Sequence, residues 1–90
     1  MKRFDWNESK NIILQKLRNI SFEDVVAAIR NEKLIDVIAH PNKEKYPNQK
    51  IFIVEMKDYV YIVPFVEDDD KIFLKTIYPS RDATKQYLNR

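Results

Sequence analysis

Ninety residues without a single glycine constrain this chain more than any other feature. Helix stops and tight turns form most cheaply at positive φ, where glycine has no Cβ to clash. Here other residues must take those positions, and asparagine and aspartate resist them least. Asn19, after the run Leu17-Arg18, reads as such a left-handed helix stop. Lys57-Asp58 lies between two apolar runs at the spacing of a tight hairpin. A two-residue turn usually wants glycine, so a wider turn is the alternative to the tight one.

Capping chemistry and periodicity give the remaining elements. Asp5-Trp6-Asn7-Glu8 fits a capping box with Asp5 as N-cap, and Ile13, Leu14 and Leu17 supply the apolar face of the helix it opens. Ser21-Phe22-Glu23-Asp24 opens a second helix, stapled by Ile20 and Val25 and running to about Asn31. Residues 34–39 read as a short strand, and residues 40–48 as a polar loop holding Pro41 and Pro47. Residues 51–56 and 59–66 form a hairpin pair in which Pro64 implies a bulge or an edge position. The acidic run 67–70 is a solvated turn before a β-branched and aromatic strand over residues 72–78. Pro79 ends that strand and Ser80 caps a closing helix. The expected architecture is α+β: two N-terminal helices packed on a curved, four-stranded antiparallel sheet, with a short C-terminal helix at one edge.

Ninety residues, 44% of them hydrophobic, suit one globular domain spanning residues 1–90. Without cysteine, and with His40 the only histidine, thiolate and histidine metal sites are excluded and no metal or other cofactor is expected. No apolar run reaches the roughly 20 residues of a membrane span and no signal region opens the chain, so the expectation is a cytoplasmic protein without a membrane partner. The net charge of +2 is unevenly spread. Lys71, Lys75, Arg81, Lys85 and Arg90 face one acid, Asp82, in the last 20 residues, whereas the first 70 hold eleven cations and thirteen acids. An anion belongs at the tail.

Both ends of the chain carry a family resemblance. Phe4-Asp5-Trp6-Asn7-Glu8-Ser9-Lys10-Asn11 resembles the F-E-W-D-E-x-K-N opening of the BrnT toxins, small ribonucleases of bacterial type II toxin–antitoxin systems with a RelE-like fold. The likeness continues through Ile20-Ser21-Phe22-Glu23-Asp24, against V-S-F-E-E, and resumes at Pro79-Ser80-Arg81-Asp82-Ala83-Thr84, against I-S-x-R-x-A-T. It covers about the first 25 and the last 15 residues, and the middle by pattern alone. It implies a metal-independent endoribonuclease toxin that inhibits translation by RNA cleavage. A cognate antitoxin would neutralise it and make any DNA contact. The departures bear on mechanism. Leu17-Arg18-Asn19 stands where the family has K-H-G, which puts Arg18 at the histidine; Thr76 stands at a strand arginine and Tyr87 at a glutamate.

Metal-free RNA cleavage proceeds by attack of a ribose 2′-OH on the adjacent phosphorus, and it needs a cation for the developing charge and groups that move protons. Arg81 suits the first role through its permanently charged fork, the alternative being a pair with Asp82 or simple solvation. Lys75, a lone charge in an apolar strand, either joins the site or faces outward at the edge. Arg18 adds a further cation or satisfies helix-end carbonyls. Lys85, Tyr78 and Tyr87 are the expected RNA contacts, by backbone attraction and base stacking; their alternatives are a solvated helix charge and two core aromatics. His40 and Trp6 read as a loop residue and a packing anchor. A partner-binding domain of the same fold without catalysis is the other function open to such a chain.

Overall fold

A computed structural model describes residues 2–89, and its helices stop and start as the capping residues dictate. Helix α1 (Glu8–Arg18) takes Asn7 as N-cap, with the Asn7 side chain accepting from the Lys10 N–H at 3.0 Å. The cap therefore sits two residues beyond the expected Asp5. Arg3–Trp6 forms a strand, β1, which claims Asp5. Asn19 ends α1 at φ 53°, as its sequence position predicts. Helix α2 (Phe22–Arg30) carries the full Ser21–Asp24 capping box, and Ile20 and Val25 are both buried.

Helix α1 does not bury the stripe that its pattern suggests. Leu14 is inside, but Ile13 is 50% and Leu17 77% exposed. Asn11, fully buried, takes the inward face instead. Its Oδ1 accepts from the Phe22 N–H at 2.8 Å and its Nδ2 donates to Glu23 at 2.7 Å. The side-chain amide thus satisfies an orphan donor of α2 and fixes how the two helices meet. That polar hinge turns Ile13 and Leu17 outward.

The sheet is six-stranded and mixed, which corrects the four-stranded antiparallel expectation while keeping the α+β class. Strands β2 (Leu34–Ala39), β3 (Gln49–Met56), β4 (Tyr59–Glu67) and β5 (Lys71–Leu74) pair antiparallel in sequence order, and β1 adds to β5 in parallel. The hairpin between β3 and β4 turns on Lys57 and Asp58 alone, at φ 55° and 60°. This is the tight mirror-image turn that the spacing argues for, made without glycine. Lys57 reaches back to donate to the Asn19 carbonyl, tying the hairpin to the end of α1.

The expected strand over residues 72–78 is broken in two. β5 ends at Leu74, opposite Phe65, and a two-residue strand β6 (Tyr78–Pro79) rejoins β4 with Tyr78 opposite Ile62. Four steps on one strand thus face three on the other, which is one extra residue and a bulge. Pro64 explains its place. The Pro64 carbonyl accepts from the Lys75 N–H at 2.8 Å, so its backbone faces this side, where proline has no N–H to return. The carbonyl of Ile77 accepts from the Arg18 guanidinium instead, at 2.8 Å.

Helices α1 and α2 cover one face of the sheet. There Phe22, Val25, Phe52, Val54, Phe65 and Leu74 form the main core, with Phe52 and Phe65 stacked at 3.9 Å. Ile51, Ile53, Val60 and Ile62 line the opposite face, against Ile35 and against Ala83 and Leu88 of helix α3 (Arg81–Leu88). α3 therefore helps to close the second face, a larger role than the edge position expected for it. Within the described residues no helix is long and apolar enough to cross a membrane.

A candidate anion site at the start of α3

Ser80 and Thr84 lock the start of α3 to Val60, the second residue of β4. Ser80 caps the helix, its side chain accepting from the Ala83 N–H at 3.1 Å, while its own N–H donates to the Val60 carbonyl at 2.9 Å. Thr84 completes the clamp. Its buried hydroxyl accepts from the Val60 N–H at 2.9 Å and donates to the Ser80 carbonyl at 2.7 Å. Both backbone groups of Val60, a fully buried residue, are thus paid off by the helix start. The Ala83-Thr84 part of the tail motif is accounted for by this packing: Ala83 fills the second core and Thr84 carries the clamp.

The clamp holds Arg81 and Lys85 one turn apart on the same side of α3. Together with Asp58, Tyr59 and Thr84 they line a cleft of about 350 Å³ beside the hairpin turn. Arg81 occupies the first turn, where the helix dipole disfavours a cation; helix stability does not account for it. Within the described residues neither Arg81 nor Lys85 makes an ion pair or side-chain hydrogen bond. Three other cations are committed to acids. Lys2 and Lys50 hold Glu67 at 2.9 and 3.6 Å, and Lys71 holds Asp5 at 3.7 Å. The hydrogen bond from Lys2, helped by the Lys50 charge, keeps the Glu67 carboxyl below its ordinary range. Asp68 is lowered by the backbone N–H groups of Asp70 and Lys71, which its side chain accepts. The acidic turn is thus a self-capped loop, and the described residues contain no cluster able to hold a metal ion.

The other expected site residues lie outside this cleft. Arg18 is committed to the Ile77 carbonyl. Lys75, exposed in the bulge, sets its ammonium 5.9 Å over the Phe73 ring. Tyr78 and Tyr87 are 41% and 37% exposed, solvent-facing aromatics and not core. Arg90, counted with the basic tail, lies outside the described residues. His40 accepts from the Asn42 N–H and packs on Tyr46, shaping its own loop, and Trp6 stacks on Phe22 as a packing anchor. Reading the sequence missed Asp58 and Tyr59. The hairpin brings them to α3, and the one signal in the chain was the spacing that made Lys57-Asp58 a turn.

Compared with known proteins, the chain matches no family model, no curated protein sequence and no solved structure.

Proposed function

We propose that this chain is a metal-independent endoribonuclease of the BrnT-like, RelE-like toxin class, acting on RNA held at the start of α3. The observation that carries the reading is the clamped helix start, which sets Arg81 and Lys85 one turn apart in a cleft beside Asp58 and Tyr59. Arg81 holds two oxygens of the scissile phosphate and meets the charge that develops on attack by the 2′-OH. Lys85 adds attraction to the flanking backbone. Asp58 and Tyr59 are the acceptor and the donor that line the cleft, and they take the proton-moving roles for which the family motif uses histidine and glutamate. The resemblance at both chain ends supports the same reading, and so does the α+β fold. An antitoxin covering Lys75, Arg81 and Lys85 would bind more weakly as salt is added.

The test is induced expression with an RNA cleavage assay and a melting curve. Arg81→Ala removes a contact worth about 3 kcal/mol in the transition state, or roughly a hundredfold in rate, and leaves the melting temperature unchanged. Tyr59→Phe lowers cleavage without lowering affinity for RNA. An Arg81→Ala protein that melts like the parent and cleaves as fast removes Arg81 from the mechanism. A second reading, a partner-binding domain without catalysis, is favoured by the exposed pair Ile13 and Leu17 on α1; parent protein that never cleaves RNA would select it.

A further inference from the structure

A second cleft, of about 390 Å³, lies between β1 and α2, away from the start of α3. Its walls are apolar: Phe4 and Trp6 on the strand, Val26 and Ala27 on the helix. Arg3 and Arg30 line it as well. Trp6 stacks on Phe22, the first residue of α2, at 5.7 Å, and Arg30 is the last residue of that helix. Arg30 therefore belongs to the end of the cleft away from the Trp6–Phe22 stack, and Arg3 opens β1 at that end with its side chain alternating with those of Phe4 and Trp6. Within the described residues their guanidinium groups make no ion pair and no hydrogen bond. The one acid in the lining, Glu23, accepts from the buried Asn11 amide at 2.7 Å.

The strand beside this cleft is also an open edge. β1 is the last strand of the sheet on its side. Its Arg3 N–H donates to the Asp70 carbonyl, so Arg3 and Asp5 direct their backbone groups at β5, while those of Phe4 and Trp6 face outward. The Trp6 N–H is taken by the Asp5 side chain at 2.9 Å. Phe4 keeps an outward N–H and C=O with no backbone bond outside the sheet ladder. Three features thus meet in one place: an unpaired strand edge, an apolar cleft flanking it, and the uncommitted guanidinium of Arg30 at one end.

We propose that this edge and cleft form a docking site for an extended, acidic peptide segment of a partner protein, which adds to the sheet beside β1. Side chains two apart on an added strand point to one face. The segment therefore carries a bulky apolar residue that enters between Trp6 and Val26, and an aspartate or glutamate two positions away that meets Arg30. The free edge selects an extended peptide over a compact small molecule, which would fill the cleft and leave Phe4 unpaired. Arg30 selects an acidic one, because its guanidinium can grip a carboxylate through two N–H donors. The inference is independent of the RNA reading and uses none of its residues.

The cleft contains its own probe, since Trp6 is the only tryptophan in the chain. The ligand is a synthetic eight-residue peptide of alternating valine and threonine, with one leucine and, two positions on, one aspartate. Titrated to about 1 mM, it gives a saturable change in Trp6 emission. Arg30→Glu weakens binding by roughly tenfold or more, and so does asparagine in place of the peptide's aspartate. Both effects are expected with the circular dichroism of the protein unchanged. A peptide methylated at the backbone nitrogens that would pair with Phe4 loses affinity as well. The proposal is overturned by the absence of a saturable signal from the parent protein, or by binding indifferent to Arg30→Glu. It is equally overturned if the methylated peptide, or free hexanoate, binds as tightly as the parent peptide, because either result removes the strand edge from recognition.

Discussion

Thr84→Val tests the clamp on which the position of α3 depends. Valine has nearly the volume of threonine, so the change leaves no cavity, and its effect is confined to the hydroxyl. That hydroxyl is the partner of the Val60 N–H, a donor on a residue with no solvent exposure. Orphaning a buried N–H costs about 1–3 kcal/mol, and the Ser80 carbonyl loses one of its two donors but keeps the Thr84 N–H. A loss of about 2 kcal/mol follows, which in a domain of this size lowers the melting temperature by roughly 8–16 °C. Thr84→Ser separates the hydroxyl from the methyl: it keeps both bonds and costs about 1 kcal/mol for one buried methyl group. Thermal melts of the three proteins, with hydrogen exchange at the Val60 amide, read the difference. If Thr84→Val melts within about 2 °C of the parent and Val60 stays protected, the clamp does not hold the helix.

Three further outcomes follow from the fold. Leu17→Lys changes stability by no more than about 0.5 kcal/mol, because Leu17 is mostly in solvent, whereas Leu14→Ala costs about 2–5 kcal/mol; urea denaturation of both checks which face of α1 is inward. Glu32 sits at φ 63°, so Glu32→Gly relieves left-handed strain against a smaller gain in unfolded-state entropy, and the urea midpoint rises by an amount worth about 0.5–1 kcal/mol. Glu67 has its folded-state pKa lowered from 4.5 by the Lys2 hydrogen bond first. It therefore stabilises the fold above that value and loses the contribution as pH falls through the lowered one. Lys2→Met should shrink the drop in urea midpoint on acidification, and an unchanged drop would remove the pair from the acid response.

The sequence was most readable where the structure is local. The Ser21 box, the Asn19 stop and the Ser80 cap each need only three or four consecutive residues, and all three formed. What escaped depends on distant partners. Asp5 had the chemistry of an N-cap, but β1 pairs with β5, and nothing near Asp5 announces that. Asn11 is one more polar residue in the α1 sequence, and only the arrival of the Phe22 N–H makes it the inward one. The bulge after Leu74 was signalled by Pro64, on the opposite strand, which pointed to a bulge but not to the chain that would carry it. The site followed the same rule. Arg81 and Lys85 were visible as a charge cluster, whereas Tyr59 needed the hairpin to bring it beside them.

The parallel pair of β1 and β5 has a consequence for synthesis. Arg3 lies opposite Lys71, 68 positions later, and at 5–20 residues per second a ribosome takes roughly 3–14 s to bridge that distance. For that interval the first strand has no partner, and Phe4 and Trp6 wait without the sheet they pack on. Contacts this remote are slow to form even in a free chain. Helices α1 and α2 and the β3–β4 hairpin can assemble as they emerge, but β1 gains its partner only once β5 has been made, and α3 its clamp only once Thr84 has been added. A nascent chain thus lacks the cleft beside α3 until Lys85 has been added, a built-in delay between reading the message and forming that surface.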